Sequence, residues 1–179
     1  MKNKIVPSIL AIVIVAVVLF GGKSILSGTA EKNVEIARNK MMLALLPGST
    51  SFAPEEFDAL ENTAIKSVYK AENGFVIESA ASGYNGDVVL MVGVSNEGKV
   101  TGLVVEDMQE TRGLGAKALT DVPFLAQFLL TDGDAEVGSN VDALTGATVS
   151  SKAVTKAVNS AVAYVTGADT SSSATEWGG

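Results

Sequence analysis

Residues 142–148 read Asp-Ala-Leu-Thr-Gly-Ala-Thr and lead straight into an apolar stretch with helical spacing, Val149 to Val165. The chemistry such a segment offers is that of an alcohol held at a helix start. A phosphoester needs a hydroxyl, close backbone approach and positive potential near the phosphate. Thr148 supplies the hydroxyl, and Gly146 and Ala147 leave room against the backbone. The following helix supplies unsatisfied N–H groups and the positive end of its dipole. Ser150, Ser151 and Lys152 can add donors or charge. The plain alternative is that Thr145 or Thr148 caps the helix. Against it stands the whole spacing, Asp-x-x-(Ser/Thr)-Gly-Ala-(Ser/Thr), which average composition yields in roughly one chain in a thousand of this length. No acidic residue stands three positions after Thr148, so no capping box competes for that hydroxyl.

Composition removes most other chemistry. The chain has 179 residues with no Cys and no His. Thiol–disulfide exchange, iron–sulfur ligation by Cys, haem ligation by His and His-based acid–base or nucleophilic triads are all excluded. Any redox work must therefore be carried by an organic cofactor. No metal site is expected. The formal net charge is −7, and beyond Gly22 eleven basic residues face twenty acidic ones. A nucleic-acid partner would need a basic stripe, which is missing.

The elements that must position the hydroxyl follow from patterning. Ile5 to Gly22 is uncharged, mostly Ile, Val, Leu and Ala, with Lys2 and Lys4 ahead of it. As a helix it would span about 27 Å, enough for a thin bilayer. The preceding lysines favour a cytoplasmic N-terminus and an external C-terminal domain, although Lys23 weakens that asymmetry. A cleaved signal peptide is the alternative, with Gly28-Thr29-Ala30 as cleavage site. The expected organisation is an anchor over residues 1–29, one domain over 30–166 and a Ser/Thr-rich tail over 167–179.

Within the domain, Glu31 to Leu46 has helical spacing stopped by Pro47-Gly48. Ser49 to Asn62 reads as loop, with Pro54-Glu55-Glu56 a potential short helix start. Strands are expected over Ile65–Ala71, Gly74–Ser82, Asp87–Ser95 and Val100–Glu106, the last two joined by a turn at Asn96-Glu97-Gly98. Val88 to Val92 is continuously apolar, as in a strand buried on both faces. Glu110 to Lys117 is irregular, Pro123 to Leu130 a short helix, and Val149 to Val165 the last helix, ended by Gly167. Strands with segregated helices give an α+β domain with a mainly antiparallel sheet.

Three segments together carry a family resemblance: Gly83-Tyr84-Asn85-Gly86-Asp87, Glu110-Thr111-Arg112-Gly113-Leu114-Gly115, and Asp142 to Thr148. From about Ala30 to Val165 the chain resembles the FMN-binding domain shared by the G subunit of the Rnf complex and the C subunit of the sodium-pumping NADH:quinone oxidoreductase. A single N-terminal transmembrane helix also fits that family. The resemblance implies covalent FMN, attached through its phosphate to Thr148 by a flavin transferase. It places Thr145, Gly146 and Ala147 beside the phosphate, and Glu110, Thr111, Gly113, Leu114 and Gly115 on the isoalloxazine side. Asp142 would be read by the transferase or hold the loop; an ordinary turn aspartate is the alternative.

Two positions depart from the family pattern: Met108 where His is common, and Arg112 where Pro is common. Near the ring, Arg112 would favour anionic reduced flavin; otherwise it is a solvated loop charge. The implied role is an electron-transfer subunit without complete catalytic activity of its own, in a membrane complex coupling ferredoxin:NAD+ redox chemistry to ion translocation. Its partners would be the other subunits, the lipid bilayer and the transferase. The corresponding quinone-reductase subunit, a membrane-anchored flavin module with a sensory or structural role, and an exported domain without cofactor are the rival readings.

Overall fold

Apolar-rich runs bounded by Gly, Asn and Ser at the turns give four strands, and the two-residue period along each strand sets which side chains face each helix. The computed structural model describes residues 29–58, 63–108 and 121–168. Helix α1 (Thr29–Leu45) precedes the strands β1 (Ala53–Pro54), β2 (Ile65–Ala71), β3 (Gly74–Ser82), β4 (Asp87–Ser95) and β5 (Val100–Met108). The short helix α2 (Val122–Ala126) and the long helix α3 (Thr148–Thr166) follow. The five strands make one antiparallel sheet in the order β1-β2-β3-β4-β5. With helices flanking it, this is the expected α+β arrangement.

Two local expectations are overturned. The helix expected over Pro123 to Leu130 stops at Ala126, and the chain turns through Leu130 with a positive φ of 67°. Pro54-Glu55-Glu56 does not start a helix; Ala53 and Pro54 form an edge strand paired with Lys70 and Tyr69. The Glu55 amide continues that pairing by donating to the Val68 carbonyl at 2.9 Å. An edge is where a residue without an N–H is tolerated, and Pro54 sits there.

Neighbouring residues on a strand face opposite sides, so the sheet feeds two cores. Ile77, Leu90, Val92, Leu103 and Val105 face Val154, Val158 and Val162 of α3. Val76 and Met91 face Met42, Leu45 and Leu46 at the end of α1. This double burial explains the unbroken apolar run in β4, where Val88, Leu90, Met91 and Val92 are all fully buried. Phe124 and Phe128, from α2 and the turn after it, close the α3 side with an edge-to-face ring contact at 5.3 Å.

The placement of α3 matters most for the site. Ser79 of β3 donates its hydroxyl to the Ala157 carbonyl at 2.9 Å, near the middle of the helix. At the helix C-terminus, Thr166 lies against Gly98 in the β4–β5 turn. The helix therefore starts at the opposite end of the sheet, where β3 ends at Ser82 and β4 begins at Asp87. There β5 also ends, Met108 pairing with Val88. Among the described residues no helix is long and apolar enough to cross a membrane. The apolar run from Ile5 to Gly22 and the tail beyond Ala168 lie outside them.

Candidate functional site

Residues 142–148 form a tight turn that delivers the chain into α3. Gly146 has φ of 77°, a left-handed conformation that a β-carbon would strain. The Ala147 amide donates to the Leu144 carbonyl at 2.9 Å, closing the turn. Leu144 and Ala147 point inward, 8% and 6% exposed, while Thr145, Gly146 and Thr148 are exposed. Alternation of buried plugs and exposed hydroxyls follows from the sequence Leu-Thr-Gly-Ala-Thr itself.

The capping alternative does not describe this helix. The N-cap residue is Ala147, and no side chain bonds back at that position. Thr148 is the first helical residue, and its hydroxyl makes no hydrogen bond among the described residues. No acidic residue lies in the first turn. An exposed alcohol thus stands beside helix N–H groups that no side chain cap satisfies, at the positive end of the 19-residue helix.

The neighbouring donors divide differently from expectation. Ser151 does not offer its hydroxyl to a phosphate: it is fully buried, accepts from the Leu144 amide at 3.0 Å and donates to the Ala147 carbonyl at 2.9 Å. Ser150 is also buried, 2% exposed. Only Lys152 remains exposed. It is one turn along α3 from Thr148, and helical side chains lean toward the N-terminus, which directs its side chain toward the Thr148 turn.

Asp142 is held through its main chain. Gln127, just after α2, accepts from the Asp142 amide at 2.8 Å and donates to its carbonyl at 3.3 Å. This clamp leaves the exposed carboxylate out. Sequence reasoning missed both Gln127 and the inward role of Ser151. The only signal was indirect, a polar residue directly after a short apolar helix and a Ser on the buried face of a long one.

At the same end of the sheet, the Gly83 amide donates to the Gly86 carbonyl at 2.8 Å and Ser82 donates to Asp87 at 3.1 Å. The resulting tight hairpin presents Tyr84, 71% exposed. On the α1 side of β5, Glu106 is held above the ordinary carboxylate range by desolvation and the charge of Glu78, with Arg38 opposing. Glu110, Thr111, Arg112, Gly113, Leu114 and Gly115 lie outside the described residues. Met108 is the last residue of β5.

Residues 83–163, from this hairpin through the Thr148 turn into α3, match the model of the FMN-binding domain. The G subunit of the proton-translocating ferredoxin:NAD(+) oxidoreductase complex of Clostridium ljungdahlii is 32% identical over 177 residues, covering 92% of this chain and 89% of its own length. The chain belongs to the G-subunit family of ion-translocating oxidoreductase complexes. The G subunit of the ion-translocating oxidoreductase complex of Methanosarcina acetivorans is 36% identical over 141 residues, 72% of this chain and 74% of that protein. A third relative, the G subunit of the Na(+)-translocating ferredoxin:NAD(+) oxidoreductase complex of Acetobacterium woodii, is 36% identical over 98 residues, about half of each chain. The family's members so named are subunits of oxidoreductase complexes, and they differ in the ion, proton in one and sodium in another.

Proposed function

We propose that this chain is an electron-transfer subunit of a ferredoxin:NAD+ oxidoreductase that translocates ions, and that it carries FMN as a phosphoester on Thr148. The observation that carries the attachment is the uncapped start of α3, where Thr148 stands exposed with its hydroxyl unspent among the described residues. The residues fit the group. Gly146 allows close approach by its positive φ, the first-turn N–H groups would face the phosphate, and Lys152 brings a positive charge that is unpaired among the described residues. The flavin, when bound, supplies the one- and two-electron chemistry that a chain without Cys or His lacks.

Attachment would be a phosphoryl transfer. Thr148 would supply the attacking oxygen, its proton would pass to the transferase, and the other half of an activated flavin nucleotide would leave as the new phosphorus–oxygen bond forms. Thr145, Gly146 and Ala147 shape the turn beside the phosphate, and Asp142 keeps an exposed carboxylate for the transferase to read. Glu110, Thr111, Gly113, Leu114 and Gly115 are proposed as ring contacts on the strength of the resemblance alone. The apolar run from Ile5 to Gly22, ending shortly before α1, supports a single-pass anchor with the domain on the outer membrane face and the other subunits beside it.

Denaturing electrophoresis with in-gel flavin fluorescence tests the reading, on protein made alongside a flavin transferase. The parent band fluoresces, Thr145→Ala retains a band, and Thr148→Ala loses it. A dark parent band, under conditions that label a known substrate, would overturn the covalent assignment.

A further inference from the structure

The acceptor turn is held by two side chains that lie outside the Asp142–Thr148 segment. Gln127 mimics a peptide group, accepting from the Asp142 amide at 2.8 Å and donating to the Asp142 carbonyl at 3.3 Å. Ser151 works from beneath, fully buried, tying the Leu144 amide at 3.0 Å to the Ala147 carbonyl at 2.9 Å through one hydroxyl. The Ser151 amide donates to the same Ala147 carbonyl at 2.9 Å, so the turn is fused to the first helical turn. Between these ties the Leu144 and Ala147 side chains are sunk in the core. Thr145 and Gly146 are left as an exposed arch, and Thr148 emerges from a backbone fixed on both sides.

We infer that Ser151 and Gln127 are positioning residues for the flavin, fixing the direction in which the Thr148 oxygen leaves the protein. The inference rests on the proposed phosphoester at Thr148. With the backbone pinned, the cofactor can reorient only through torsions beyond the Thr148 α-carbon. A redox group whose swing is limited keeps a defined distance to its electron partners. Without the two ties the arch would carry the attached group with it as it opens.

Ser151→Ala leaves the Leu144 amide buried without an acceptor, and Gln127→Leu removes both bonds to Asp142 without entering the α3 core. Loss of such a bond shifts the open-to-closed balance of the turn by roughly 5- to 150-fold. The full chain, loaded by the transferase, is studied by amide hydrogen exchange and by time-resolved flavin anisotropy. Exchange at Leu144 in Ser151→Ala, and at Asp142 in Gln127→Leu, should accelerate by that factor while Leu90 in the sheet core keeps its parental rate. The slow anisotropy component, which reports a flavin tumbling with the whole protein, should shrink in both variants when read on the flavin-loaded fraction alone. Faster exchange with an unaltered slow component would overturn the positioning role, since the ties would then be structural only. Unchanged exchange would overturn it as well. Should Ser151→Ala fail to fold, Gln127→Leu decides alone. Absence of FMN mass on the Thr148 peptide of the parent would instead overturn the phosphoester, and the positioning role with it.

Discussion

Thr101 of β5 donates its hydroxyl to the main-chain oxygen of Leu45 at 2.6 Å, tying the last residue of α1 to an edge strand of the sheet. That carbonyl is among the orphan acceptors every helix end must satisfy. Sequence-distant Asn73 adds to the latch by donating to the Pro47 carbonyl at 3.0 Å. The segment that leads from the expected anchor is thereby fastened to the same sheet that carries α3.

Gly93 shows how close this latch is. A β-carbon there would stand 2.2 Å from the Leu45 oxygen, backbone that has no flexible way to move aside. Gly93→Ala should therefore cost about 1–3 kcal/mol, the range of core overpacking, and the loss should appear as a lower urea midpoint. Stability equal to the parent would show that α1 can lift from β4 freely.

Ser79 sets the axial position of α3. Its fully buried hydroxyl meets the Ala157 carbonyl at 2.9 Å, and this contact, with Thr166 against Gly98, holds Thr148 at the hairpin end of the sheet. Ser79→Ala should cost about 1 kcal/mol, the net worth of one buried hydrogen bond. The check is again urea unfolding, with an unchanged slope confirming that folding remains two-state.

Glu106 gives the fold a pH dependence of definite sign. The groups facing it are Glu78 of β3 and Arg38 of α1, and desolvation is the largest cause of its upward shift, followed by Glu78. An acid whose folded pKa lies above its unfolded value binds more protons when folded, so stability falls as pH rises from the ordinary carboxylate range through the raised value. Glu106→Gln should remove that fall. Thermal melts should show the variant above the parent at neutral pH and the difference closing below the carboxylate range. A difference that stays constant with pH would mean the effect is packing, not charge.

How much was legible follows from where the information sits. The bounds of β2, β3 and β4 could be read residue for residue because each is a strand-forming run with its own turn signals at both ends. The edge strand at Ala53 and Pro54 could not, since its two residues hold no pattern and its pairing is dictated by β2. Thr148 as an exposed alcohol was legible because the seven-residue spacing is local. The clamp on it was not: Gln127 reaches Asp142 from fifteen residues earlier, and a serine one turn into an amphipathic helix gives no hint whether it faces a phosphate or a buried amide. Ser151 faces the amide, which left Lys152 as the only exposed polar residue on the first turn beyond Thr148.

Lys152 therefore carries the last prediction. Thr148, Lys152 and Lys156 recur at intervals of four along α3 and are its exposed positions through the first half of the helix. Neither lysine pairs with a carboxylate among the described residues, whereas Lys70 pairs with Glu55 and Lys99 with Asp132. A unit charge about 4 Å from a phosphate contributes about 1 kcal/mol in water, which is close to a five-fold rate effect if the contact is made as the phosphate arrives. Lys152→Gln should slow flavin incorporation by about that factor, and Lys152→Glu should slow it further by adding repulsion. Lys156→Gln, one turn beyond, serves as the control and should label at nearly the parental rate. Raising the salt concentration should shrink the difference between Lys152→Gln and the parent, because exposed charges are screened. The measurement is the initial rate of covalent flavin fluorescence at saturating transferase; equal rates for the parent and Lys152→Glu at low salt would remove Lys152 from the site.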